Sequence, residues 1–343
     1  MPRCLKCGTE LAVNEEGVAP VLCDRCAGVA TGKARRSMTM SGLGSYPVTV
    51  LLIAINVVAF IMQQIPGLYI TNLGVNAGPL TLSGQYWRLF TAGFLHANIF
   101  HIGMNMWCLW SLGRLSERLF GKWQTFMIYM LTGVGGALLS IAYRPEHAEL
   151  GASGAVFGIV GAVMAGVRFG DLNISHGEKR AIFSSALSFA VLNFILGATL
   201  ANVDNMCHLG GFVTGLIVGL PLGAFARKNA LLQLATVVVT AGVLFAAGRE
   251  LVQTHGPAAA RTMARMAAQQ GDFFAQAEYL EKYTRSDPGD SQALIDLGEA
   301  YINSGQLQKA SDAFQRALAA NPDSALAKQY LQELQGSSAP VKK

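Results

Sequence analysis

Seven stretches of the chain are almost wholly apolar, at about 46–65, 90–112, 125–143, 153–167, 181–200, 207–225 and 230–247. Each is close to the ~20 residues that a helix needs to cross a bilayer, so the pattern predicts an all-α polytopic membrane protein with seven spans. The segments on either side read differently. Residues 1–36 are polar and carry four cysteines, and a polar region with another period begins at Gly256-Pro257. Within it Leu294, Leu297, Gly298, Tyr301, Ala310, Phe314, Ala317 and Pro322 alternate large and small residues as the two helices of a hairpin do. An upstream copy lies thirty-four residues earlier, with Gly271, Leu280 and Pro288 answering Gly305, Phe314 and Pro322. A fixed period of that length marks stacked helical hairpins. A trailing helix at about 325–334 is expected to cap the stack, and the tail from Gly336 is expected to be disordered.

Composition agrees with this division. Of 343 residues 52% are apolar and 14% charged, with 38 glycines, a balance outside the range of soluble domains. The basic residues fall on alternate connections. If the first span starts inside, the inward loops hold Arg114, Arg118 and Lys122, then Arg168, Lys179 and Arg180, then Arg227 and Lys228, whereas the outward loops hold only Arg88 and Arg144. Lys33, Arg35 and Arg36 precede the first span. This asymmetry predicts a cytoplasmic N-terminus in a bacterial inner or plasma membrane, and puts the C-terminal repeats outside if the seventh segment spans. No secretory signal is read in the first thirty residues, which lack an apolar core.

The four N-terminal cysteines form Cys4-x2-Cys7 and Cys23-x2-Cys26, the spacing of a structural zinc site with four thiolates. So short a segment needs the metal to fold. Two disulfides are the alternative, disfavoured by a reducing compartment. The segment resembles a zinc ribbon, and nothing in it points to catalysis.

The remaining chemistry gathers on spans two, four and six. Gly151-Ala-Ser153-Gly154 opens span four, His101 and Asn105 lie in span two, and His208 starts span six. These spans all run inward, so the four polar residues share the outer end of the bundle. A serine hydroxyl needs a base to accept its proton, and His208 is the candidate base, later the acid for the leaving amine. His101 and Asn105, one helical turn apart, face the same way and can donate to a developing oxyanion together with the Ser153 backbone N–H. Small residues at Gly211-x3-Gly215 and Gly154-x3-Gly158 allow spans six and four to approach closely. Any one of these residues can instead bond a neighbouring helix, and His96 reads as a polar residue of the cavity. Cys207 reads as a packing residue beside His208. Asp204 is a remote candidate for a triad acid, expected in the outer loop. No His-Glu-x2-His appears, so metal catalysis is not expected.

In combination, His96, His101-x3-Asn105, Gly151-x-Ser153-Gly154-x3-Gly158 and His208 followed by Gly211-x3-Gly215 resemble the rhomboid family of intramembrane serine proteases. Trp87-Arg88 and Glu117-Arg118 resemble family positions that shape the first loop and the junction of helices two and three. Four residues after the serine, where many members carry a tyrosine that packs on the catalytic imidazole, this chain has Phe157, which keeps the ring face and loses the hydroxyl. The resemblance covers about 46–226. It implies a rhomboid-like six-helix core with a Ser153–His208 dyad, an oxyanion hole involving His101 and Asn105, and no cofactor for catalysis.

The chain accordingly divides into a zinc-ribbon-like segment at 1–30, a linker at 31–45, the membrane core at 46–226, a seventh span at 227–249, helical repeats at 257–335 whose pattern resembles the tetratricopeptide repeat, and a tail at 336–343. Expected partners are the bilayer, single-span or polytopic membrane proteins as substrates, and a protein or peptide for the repeats, with no nucleic acid. A catalytically inactive relative that binds membrane clients is the alternative. It is disfavoured because every dyad and oxyanion position is filled. A transporter is disfavoured because charged residues are lacking at mid-membrane depth.

Overall fold

The computed structural model describes residues 2–5, 7–11, 21, 23, 46–172, 174–200, 203–224 and 229–337. It comprises two units, Met1–Pro47 and Val48–Lys343. In the first, the chain folds into a tight knuckle in which Cys4 N–H donates to Thr9 O (2.8 Å) and Gly8 takes a left-handed φ of 74°. Cys4 and Leu11 are buried there. Cys26, the linker at 31–45, Arg227, Lys228 and the tail from 338 lie outside the described residues.

Among the described residues the second unit is mostly helical, with one two-residue strand ladder. Helix α1 (Pro47–Gln63) leads into a long first loop. The loop is built from α2 (Ile70–Gly74), strand β1 (Asn76–Ala77), α3 (Gly78–Leu82) and α4 (Arg88–Thr91). Arg88 holds the loop together. Its Nη1 donates to Asn72 O (2.8 Å) and Val75 O (2.7 Å), and Trp87 Nε1 donates to Leu73 O (3.1 Å). Helix α5 then runs from Ile99 to Leu119, later than the hydropathy maximum at 90–112 predicts. The shift has a local cause. Asn98 caps the helix by accepting from His101 N–H (2.9 Å), and the apolar residues before it belong to the loop.

Helices α6 (Lys122–Tyr143), α7 (Ser153–Phe169), α8 (His176–Thr199) and α9 (Asn205–Ala224) complete the bundle, with strand β2 (Ala148–Glu149) just before α7. The strands pair antiparallel, Asn76 with Glu149 and Ala77 with Ala148, which ties the first loop to the approach to α7. Helix α7 lies in the middle: every residue from Gly154 to Val167 is buried. Its broadest contact is with α9, followed by α6. The contact is close because side chains are missing. A Cβ on Gly211 would run into the Gly154 carbonyl, and one on Gly215 into the Gly158 carbonyl. Glu117 of α5 accepts from both the backbone N–H and the hydroxyl of Thr49 (2.6 Å each), so it fixes α5 to the start of α1. The junction of α5 and α6 is tied separately, by Ser116 and Thr125 hydroxyls 2.8 Å apart.

Helix α10 (Ala230–Gln269) differs from the prediction. Pro257 removes a backbone donor, and Gly256-Pro257 reads as a break, yet the forty residues form one helix about 60 Å long. Burial of Ala259, Ala260, Met263, Ala264 and Ala267 offsets the lost hydrogen bond. Its first part follows α6, with Gln124 Nε2 donating to Gln233 Oε1 (2.5 Å). Further along, Ala259 packs with Leu82 of α3 and Ile141 of α6.

The repeats continue from there as α11 (Phe273–Ser286), α12 (Ser291–Asn303), α13 (Leu307–Ala320) and α14 (Ala325–Ser337). Gly271 and Gly305 make equivalent turns at φ 73° and 75°, and Asp272 and Asp290 cap the helices that follow the turns at 271 and 289. Leu280, Leu294, Leu297, Phe314 and Ala317 share one core, on which Tyr330 of α14 stacks against Phe314 at 4.7 Å. Lys282 Nζ reaches Ser83 O (3.4 Å), so the repeats lie at the end of the bundle that carries the first loop.

Candidate active site

The first turn of α7 receives side chains from α5 and α9. Ser153 is its first residue, and its backbone N–H is among those an α-helix leaves without an internal acceptor. Before it, Gly151 has φ 132°, and its N–H donates to Ala92 O (2.9 Å). A side chain cannot replace its hydrogen. A Cβ there would lie 2.8 Å from His101 Cε1, 2.9 Å from His101 Nε2 and 3.9 Å from Asn105 Nδ2. The donors of α5 thus point at the backbone just ahead of Ser153.

The state of His101 follows from its neighbours. Ala97 N–H donates to its Nδ1 (3.4 Å), so the neutral ring carries its proton on Nε2, the nitrogen that faces Gly151. Asn105 Nδ2 donates to the His101 carbonyl one turn back (3.1 Å). The second Nδ2 hydrogen remains to be used. His96 sits behind this pair, buried, with its ring 5.1 Å from that of His101. Its backbone is held at both ends by the Gln63 side chain, which accepts from His96 N–H (3.0 Å) and donates to His96 O (3.2 Å).

His208 approaches from the first turns of α9. Its imidazole stacks on Phe157 with centroids 4.2 Å apart and planes 13° from parallel. Phe157 lies four residues after Ser153, on the same face of α7. Phe194 of α8 closes the cluster, 5.0 Å from Phe157 and 6.4 Å from His208. His208 Nδ1 is buried and finds no hydrogen-bond partner among the described residues. Asp204 does not serve it. That carboxylate caps α9 by accepting from Met206 N–H (3.0 Å) and Cys207 N–H (2.9 Å), and it accepts from the Ser140 hydroxyl as well.

Sequence reasoning missed one part of this region. Glu149 is buried between the first loop and α9, accepting from Asn76 Nδ2 (3.1 Å) and from Cys207 Sγ (3.4 Å). Burial pushes its carboxyl up to about 7, the two hydrogen bonds pull it back, and Asp204 adds to the rise. The one available signal was an acidic residue two positions before Gly151.

At the N-terminus the sulfurs of Cys4, Cys7 and Cys23 lie within 4.8 Å of one another. Tetrahedral zinc–thiolate bonds of about 2.3 Å place sulfurs roughly 3.8 Å apart, so the three fit a metal. Cys7 and Cys23 are 3.6 Å apart as thiols, and none of the three is in a disulfide.

These features define a polytopic helical membrane protein with a serine, two histidines and an asparagine gathered at one end of a glycine-packed bundle. Residues 83–225 match the family model of the rhomboid domain, and residues 267–334 match that of the tetratricopeptide repeat. The chain is 26% identical over 283 residues to the rhomboid protease GluP of Bacillus subtilis (strain 168), an overlap of 80% of this chain and 54% of that protein. It is 37% identical over 135 residues to RHOMBOID-like protein 1 of Arabidopsis thaliana (39% and 34%), and 32% identical over 154 residues to Rhomboid-like protease 1 of Toxoplasma gondii (44% and 52%). The chain thus spans about half or less of the length of the curated relatives it matches. The membrane core is similar to rhomboid domains, and the helices that follow it to tetratricopeptide repeats.

Proposed function

We propose that the chain is an intramembrane serine endopeptidase that cuts spanning segments of other membrane proteins. The observation that carries this reading is the convergence on one turn of α7 of His208, stacked on Phe157, with His101 and Asn105 beside Gly151. In the reaction Ser153 Oγ attacks the scissile carbonyl carbon while the His208 imidazole accepts the hydroxyl proton. The carbonyl oxygen becomes an oxyanion held by His101 Nε2–H, the remaining Asn105 Nδ2 hydrogen and the Ser153 backbone N–H. Collapse breaks the C–N bond, and the imidazolium gives its proton to the leaving amine. Water then hydrolyses the acyl-enzyme with His208 again as base. Stacking on Phe157 holds the ring, so an acid partner at Nδ1 is not required for orientation.

The accessory parts fit the same activity. Cys4, Cys7, Cys23 and Cys26 hold a structural zinc ion in a ribbon on the cytoplasmic side. The repeats at 257–335 lie outside, near the mouth of the site, where they bind the extramembrane part of a client and raise its local concentration. A cysteine at Gln292, an exposed position, should therefore react with an impermeant thiol reagent on intact cells. Protection until the membrane is permeabilised would place the repeats inside.

Incubation of the purified protein in detergent with a single-span substrate tests the main reading. The wild type should cleave it, and Ser153→Ala and His208→Ala should each abolish cleavage in a folded protein, because residues that act as one unit fail together. An inert wild type would favour a client-binding relative that has lost catalysis.

A further inference from the structure

We infer that Glu149 is a positioning residue for the candidate site: its carboxyl joins the first loop and the helix of His208 to the segment that presents Gly151 and Ser153. The inference rests on the serine-protease reading above. The carboxyl is almost entirely buried, and each of its oxygens faces a donor from a different element. Oε2 accepts from Asn76, whose own side chain is fully buried and also accepts from the Thr81 hydroxyl (2.8 Å). That chain of bonds leads into α3. Oε1 accepts from Cys207, the residue next to His208. The Cys207 sulfur in turn backs directly onto α7, since a Cβ on Gly154 would lie 2.7 Å from it. Glu149 therefore ties the first loop to Cys207, which adjoins both the base His208 and the first turn of α7.

A buried carboxyl is costly unless its oxygens are used, and the antiparallel pair Asn76–Glu149 shows how this one is delivered to its place. An apolar residue would pack at position 149 but would leave the Asn76 amide and the Cys207 thiol without this acceptor. Glutamine is a closer substitute. Its carbonyl oxygen can still accept from Asn76, and its NH2 can donate to the Cys207 sulfur. Aspartate keeps the carboxyl group and falls short of both donors by about one bond.

The inference separates from a merely structural role by kinetics. The cleavage of a single-span substrate is followed for the wild type, Glu149→Ala, Glu149→Asp and Glu149→Gln, with thermal unfolding of each protein as a check on folding. Glu149→Ala should lower kcat by about ten- to a hundredfold with KM within about twofold, because a misplacement near 1 Å costs this much in catalysis, and Glu149→Gln should recover most of it. Should Glu149→Ala fail to fold, folded Glu149→Asp decides, with the same expected fall in kcat. Wild-type kcat in folded Glu149→Ala or Glu149→Asp, a change in KM alone, or a folded Glu149→Gln as impaired as Glu149→Ala overturns the inference. A wild type that does not cleave overturns the protease reading and this inference with it, whereas an active wild type with an equally active Glu149→Ala overturns this inference alone.

Discussion

Helices α7 and α10 are both apolar enough to belong in a membrane, and they do opposite work. Helix α7 is buried all round from Gly154 to Val167, although at 17 residues it is among the shorter apolar helices. Helix α10 is more apolar in its best window than any other candidate span, yet only 6% of that window is buried within the protein. Leu231, Leu234, Val238, Val243 and Phe245 all point outward. The difference lies in the small residues. Apolar side chains are equally at home against lipid or protein, so hydropathy alone does not tell the two helices apart. Glycines at every turn place α7 at the centre, where two neighbours, α5 and α9, can bring polar groups to its first turn.

Substitutions at glycine should break this contrast most sharply. Gly211→Val puts a branched side chain into the Gly154 carbonyl, which separates α9 from α7 and carries His208 away from Ser153. Cleavage should fall by more than about a hundredfold, the cost of misplacing catalytic groups by an ångström or more. Residual activity above a tenth of wild type would mean that close packing of α7 and α9 does not set the site.

Asn105→Ala probes the side of α7 that faces α5. Loss of one oxyanion donor costs about ten- to a thousandfold in kcat, less if His101 and the backbone share the load. An unchanged kcat would remove Asn105 from the site.

A smaller effect concerns Glu149 and pH. Its carboxyl, pushed up to about 7 by burial, stays protonated in the folded protein over a range in which the unfolded chain has already lost the proton. Folding takes up a proton there, so this contribution to stability declines as pH rises from the ordinary carboxylate range and levels off above about 7. Cys207 and Asp204 are the titratable groups that face it: Asp204 disfavours a further negative charge, and the hydrogen bond donated by Cys207 favours it. The thermal midpoint of Glu149→Gln should lack this decline, and parallel curves for the two proteins would show that Glu149 titrates alike in both states.

The smallest expected change is at Gly242 in α10, where a Cβ meets nothing within 4 Å. Gly242→Ala should leave cleavage at wild-type levels and stabilise the helix by about 0.5–1 kcal/mol. A large loss would mean that α10 packs on a further protein partner along this face.

Much of this was legible because membrane helices must satisfy their own backbone, so polarity and small-residue spacing carry the signal. Ser153 and His208 were conspicuous as polar residues at the starts of apolar runs, and His101 and Asn105 as a polar pair one turn apart within another. What escaped was set by tertiary context. The start of α5 at Ile99 depends on the Asn98 cap, which hydropathy smooths over. The passage of α10 through Pro257 depends on alanines whose partners lie far along the chain, in α3, α6 and the repeats. Beyond its place two residues before Gly151, nothing in the sequence singles out Glu149, which is buried through the pairing of two short strands some seventy residues apart.

The central claim is that Ser153 is the nucleophile and His208 its base. Treatment of the detergent-solubilised protein with a fluorophosphonate, followed by peptide mapping, tests it directly, since such a reagent forms a stable adduct only with an activated serine. The account predicts one adduct, on the peptide containing Ser153, and its loss in His208→Ala at unchanged folding. An adduct on another serine, or equal labelling of Ser153 without His208, would contradict it.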